Sequence, residues 1–82
     1  MIKLKAIKIL VVALEKSIRS LVSNTLKEEG YSVTTVSLAK TGLKLIRNND
    51  FGIVFFEVTG SDKNSLKMIK EIKVFNPEIL II

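Results

Sequence analysis

Residues 9–19, ILVVALEKSIR, join a run of six apolar residues to a charged segment with a different period. A short apolar run of this kind belongs to a strand covered on both faces, as in a parallel sheet. Beyond it, Ile18, Leu21, Val22, Thr25 and Leu26 recur at three- and four-residue spacing and so share one face of a helix. The stretch reads as a buried strand turning directly into an amphipathic helix. In open parallel sheets that turn is where ligands are held, beyond the carboxyl ends of the strands. Here it offers Ala13 and Leu14, followed by Glu15.

Working outward, the same alternation continues. IKILVV from Ile7, YSVTTVS from Tyr31, FGIVFFEV from Phe51 and the closing EILII are the strand candidates, the second loosely alternating and so nearer an edge. Gly30 ends the first helix by accepting a left-handed conformation. A second helix is predicted over Ala39 to Arg47, with Ala39, Leu43 and Ile46 inward, weakened by Gly42 and closed by NND. A third follows Asn64 as its cap, with Leu66, Ile69 and Ile72 on its buried side, and Pro77 bars its continuation. Strand and helix in strict alternation with short connections predict an α/β fold, a parallel sheet with helices on both faces.

Composition narrows the chemistry. Eighty-two residues allow one domain with a modest core, burying about 60% of the surface an unfolded chain exposes. With 48% hydrophobic residues, that domain can still offset its ordering entropy and fold. Cysteine and histidine are both absent, which removes disulfides, thiolate nucleophiles, Cys/His zinc sites and imidazole acid–base catalysis. No dinucleotide fingerprint or Walker sequence is present. The net charge of +5 comes from 13 basic residues scattered without a block, and aromatic residues do not interleave with them. That pattern reads as a solvated lysine-rich surface rather than a nucleic-acid face. The apolar run after the amino-terminal lysines is too short for a signal peptide, and none nears the ~18 residues of a membrane span. A cytoplasmic protein without membrane contact is expected.

From Lys8 to Ile82 the sequence resembles the receiver domain of two-component response regulators. KILVVALEKSIR is similar to that family's opening strand, LKEEGYSVTTVSLAKTGLKLI to its first helix through its second, NNDFGIVFFEV to its third strand, and NPEILII to the entry of its fourth. The stretch EEGYSVTTVSLAKTGLKLI carries most of the specificity. The resemblance implies a three-layer, flavodoxin-like receiver fold with strand order 2-1-3-4, a single domain over 1–82 that stops after the fourth strand. The family's switch hydroxyl, its lysine and its fifth strand and last helix would lie beyond Ile82.

In that family a strand-end aspartate accepts a phosphoryl group, and an acidic pair after the first strand holds Mg²⁺ beside it. Mapped residue by residue, the pair falls on Ala13 and Leu14, the phosphoacceptor on Glu57, and Glu15 matches an acidic flank. Alanine and leucine offer a cation no side-chain oxygen, and glutamate carries its carboxylate one methylene too far. The expectation is a degenerate pseudo-receiver with its Mg²⁺ site lost, no cofactor and no catalytic residue. Such a module would act in signal transduction through protein contacts, independently of phosphorylation, as the N-terminal part of a transcription regulator. Glu57 is read as a tolerated replacement or a partner for a nearby lysine rather than a mimic of phosphoaspartate.

The loop TGSDKNS carries Ser61 and Ser65 where the family has proline and glycine. Asp62 and Asn64 are read as turn and cap residues rather than cation ligands, and Thr34, Thr35, Ser37 and Thr41 as surface hydroxyls. Leu14, Thr59, Ser61 and Asp62 are the candidate interaction surface for a protein partner or output domain. Self-association is expected through the fourth strand, an apolar edge. Two alternatives stand beside this reading: a residual receiver phosphorylated at Glu57, and a basic nucleic-acid-binding domain.

Overall fold

β1 (Lys8–Val12) lies inside the sheet because both of its faces are apolar. Leu10 and Val12 point to one side, Ile9, Val11 and the following Ala13 to the other, and all five are buried. The structure is a computed structural model and describes residues 7–58 and 63–82. In chain order, β1 is followed by α1 (Lys16–Glu28), β2 (Ser32–Val36), α2 (Ala39–Asn48), β3 (Ile53–Phe56), α3 (Lys63–Phe75) and β4 (Leu80–Ile81). The four strands form one parallel sheet in the order β2-β1-β3-β4, with Val12 level with Val36 on one side and Phe56 on the other. This is the α/β architecture expected from the alternation, with strand boundaries drawn in by one or two residues.

Each face of β1 seeds its own core. Ile9, Val11 and Ala13 pack under Ile18, Val22 and Leu26 of α1, while Leu10, Val12, Val54 and Phe56 pack under Ile46, Met68 and Ile72 of α2 and α3. Within α1 the inward arc differs from the one predicted: Leu21 is 68% exposed and Thr25 is exposed, whereas Arg19 is half-buried and Ser23 buried. The helix is rolled toward the 19/23 side, so the i, i+4, i+8 row of Ile18, Val22 and Leu26 carries the packing. In α3, Leu66 is likewise exposed and Met68 takes its place in the core. Asn64 lies within α3, not before it.

Helix ends follow the sequence closely. Gly30 has φ 95°, and its N–H reaches the Lys27 carbonyl at 2.9 Å while that of Tyr31 reaches Leu26 at 3.2 Å, the paired bonds of a glycine-closed helix. The Asn48 and Asn49 side-chain amides donate to the carbonyls of Lys44 and Leu45 at 2.9 and 3.0 Å, which closes α2 as NND suggested. Lys73 Nζ holds the turn from α3 to β4, donating to the carbonyls of Ile79 at 2.5 Å and Pro77 at 3.4 Å. Gly42 is no weak point. A Cβ there would lie 3.1 Å from Val12 Cγ2 and 3.2 Å from Met68 Cε, so its bare backbone is what lets α2 lie against β1.

Candidate functional site

The strand order reverses between β1 and β3: α1 leads to β2 on one side, and α2 crosses to β3 on the other. The crevice beyond the carboxyl ends of these two strands is the ligand site of such sheets. The residues brought there are Ala13, Leu14 and Glu15 from β1, and Glu57 from β3. The Glu57 N–H donates to the Val12 carbonyl at 2.8 Å, which extends the ladder and fixes where its side chain starts. One carboxylate oxygen of Glu57 then accepts the backbone N–H of Glu15 at 3.2 Å. Glu15 is the residue before the first turn of α1, so the Glu57 carboxylate sits against the positive end of that helix. Among the described contacts its partner is a backbone N–H.

A second tie closes the same turn. Arg19 Nη1 donates to the carbonyl of Ala13 at 2.9 Å and to that of Leu14 at 3.4 Å. Arg19 escaped the sequence reading because charged residues near a helix start are normally solvated. The available signal was its position beside Ile18 and one turn from Glu15, on the arc that faces the loop. Glu15 turns its side chain along α1, one oxygen accepting the Ser17 hydroxyl at 2.7 Å. Ala13 is 1% exposed and belongs to the core, while Leu14 is 65% exposed and stands out from the loop.

The turn presents few side-chain oxygens. Ala13 presents a methyl group, Leu14 an exposed isobutyl group, and the two carbonyls of the turn already accept from a guanidinium. Among the described residues, no three Asp, Glu, His or Cys side chains gather as a metal-holding group. Thr59, Gly60, Ser61 and Asp62 lie outside the described residues, as do the side chains of Asn64 and Ser65. Thr34, Thr35, Ser37 and Thr41 are exposed. No helix among the described residues is long and apolar enough to cross a membrane.

No protein-family model and no curated protein sequence matches the chain. Solved structures do. The response regulator TrrA of Thermotoga maritima, solved with Mg²⁺-BeF, superposes with a TM-score of 0.82 at 28% identity over 92% of this chain and 65% of its own. TrrA has also been solved in complex with the histidine kinase ThkA. The receiver domain of NtrC4 from Aquifex aeolicus gives 0.78 at 32% identity, over 93% of this chain and 63% of its own. The chemotaxis protein CheY4 of Vibrio cholerae gives 0.83 at 24% identity, over 93% and 65%, and speaks to the fold. The chain thus spans somewhat under two thirds of these relatives. Over more than nine tenths of its own length, in fold and in sequence, it is similar to the receiver domains of response regulators.

Proposed function

We propose that this chain is a receiver-type signalling domain that works through protein contacts, without metal-dependent phosphorylation and without catalytic activity of its own. The observation that carries the reading is the doubly tied β1–α1 turn. Arg19 donates to the Ala13 and Leu14 carbonyls, and Glu57 accepts from the Glu15 N–H. A phosphoacceptor needs a carboxylate oxygen free to attack and a cation to neutralise the incoming phosphoryl oxygens. Here one oxygen of the Glu57 carboxylate accepts from the loop, and a guanidinium donates to the carbonyls of that loop. In this reading the crevice serves as a structural clasp.

From TrrA, which is bound by a histidine kinase, we carry over recognition by a protein partner and leave aside the binding of Mg²⁺-BeF. The exposed Leu14, next to the clasp, is the described part of the proposed contact surface. Thr59, Ser61 and Asp62 complete that surface in the proposal. Regulation of a transcriptional output domain is the role that fits a domain of this kind. The proposal also includes association of the chain with copies of itself along β4.

The deciding experiment incubates the protein with Mg²⁺ and acetyl phosphate and follows intact mass. The expected result is an unchanged mass. A Mg²⁺-dependent gain of one phosphoryl group that disappears in Glu57→Gln would overturn the reading in favour of a residual receiver.

A further inference from the structure

On the opposite face of the sheet from α1, α2 and α3 flank an open groove of about 560 Å³ lined by Arg47, Lys67, Lys70, Glu71, Val74 and Phe75. Helices in this fold run antiparallel to the strands, so the groove's α2 and α3 ends lie toward the amino-terminal ends of the strands, away from Glu57. Two features make it unlike ordinary surface. Val74 is 86% exposed and Phe75 54%, and both line the groove. Around them three cations face one anion, Glu71. Lys40 and Lys44 extend the charge along α2, because residues 40, 44 and 47 fall at i, i+4 and i+7 and form one stripe. The helix dipole accounts for a cation such as Arg47 in a last turn, but Lys67 sits in the first half of α3 and gains nothing from it.

We propose that this groove docks an acidic amphipathic helix of a partner protein. An apolar side chain of that helix covers Val74 and Phe75, and carboxylates on its flanks meet Arg47, Lys67 and Lys70. The arrangement is that of a helix-in-groove site: an apolar centre that is dehydrated on contact, surrounded by charges that set orientation and speed encounter. Long basic side chains suit the rim because their methylenes line the apolar floor while their charged ends stay in water. A nucleic-acid backbone would satisfy the cations but leave Val74 facing phosphates. A bilayer surface takes up a continuous apolar crest, whereas here Val74 and Phe75 stand among Arg47, Lys67, Lys70 and Glu71.

The test uses a synthetic 18-residue helix with Leu and Phe at i, i+3, i+4 and i+7 and Glu on both flanks, titrated into the isotopically labelled protein by NMR. A scrambled peptide of equal composition, a 16-base-pair DNA duplex and phosphatidylserine-containing vesicles are titrated in parallel. The expected result is that the amphipathic peptide shifts the amides of residues 44–48 and 66–75 and binds more tightly than the other probes. Affinity should fall about tenfold in Val74→Glu and in Lys67→Glu/Lys70→Glu, but not in Lys16→Glu on α1. These positions are exposed, so circular dichroism should show the fold intact in each variant. Binding no tighter than the scrambled peptide, a preference for the duplex or the vesicles, or unchanged affinity in Val74→Glu would overturn the proposal.

Discussion

Arg19 is the residue on which the crevice turns. Its guanidinium donates to two carbonyls of a loop whose side chains, Ala13 and Leu14, cannot attract a cation themselves. Hydrogen bonds from a charged donor contribute about 1.5–3 kcal/mol, less where solvent competes, as it does for the longer bond to Leu14. Arg19→Met keeps the packing of the stem and removes the donor. We expect it to cost about 1–2 kcal/mol in urea unfolding, corresponding to a melting point lower by roughly 4–16 °C in a domain of this size. Arg19→Lys should recover only part of the loss, since an ammonium lacks the planar fork of donors. A variant as stable as the parent would mean that the turn holds itself. Glu57 was legible in the sequence as a position and Arg19 was not. Which backbone groups a side chain ties depends on how far α1 is rolled about its axis, and that roll is set by packing.

The helices show the same division at the next scale. The stop of α1 at Gly30 and the close of α2 at Asn48 and Asn49 are local matters, settled by a positive φ and by amides reaching back one turn. Gly42 is a different case. In an exposed helix, Gly→Ala gains about 1 kcal/mol from propensity alone. Here the new Cβ would meet Val12 Cγ2 at 3.1 Å and Val36 Cγ2 at 3.4 Å, side chains stiff at χ1 on strands of the sheet. Met68 Cε, at 3.2 Å, is the flexible neighbour. Overpacking costs about 1–3 kcal/mol, so Gly42→Ala should lower the urea midpoint by a net loss of about 1 kcal/mol with the slope unchanged. A rise in stability would show that α2 can lift from β1. The inward arcs of α1 and α3 misled the sequence reading for a related reason. Leu21 and Leu66 have the right spacing and chemistry for burial, but each helix also offers a neighbouring arc, and contact with the sheet selected Ser23 and Met68 instead.

For the whole molecule, β4 sets the behaviour to expect. It pairs with β3 on one side, Ile82 N–H donating to Val54 and Phe56 N–H to Ile82 at 3.0 and 2.8 Å, and it leaves Leu80 and Ile82 exposed. Among the described residues no strand pairs with the other edge of β4, and an apolar strand edge open to pairing is a template for another chain. Light scattering of the 82-residue polypeptide across a dilution series should therefore show dimers or larger species, and Leu80→Lys should shift them toward monomer. Monomer at every concentration would remove self-association from the proposal. By itself the sequence determined the alternation of strand and helix, the parallel sheet, the helix stops and the apolar side chains at 13 and 14. Each of these follows from residue type and local period, which need no partner elsewhere in the chain. Tertiary structure alone decided the rolls of α1 and α3, the clasp of Arg19 and Glu57 on one turn, the need for glycine at 42, and the basic groove between α2 and α3. These depend on distances between segments far apart in sequence, and only packing against a common sheet brings such segments together.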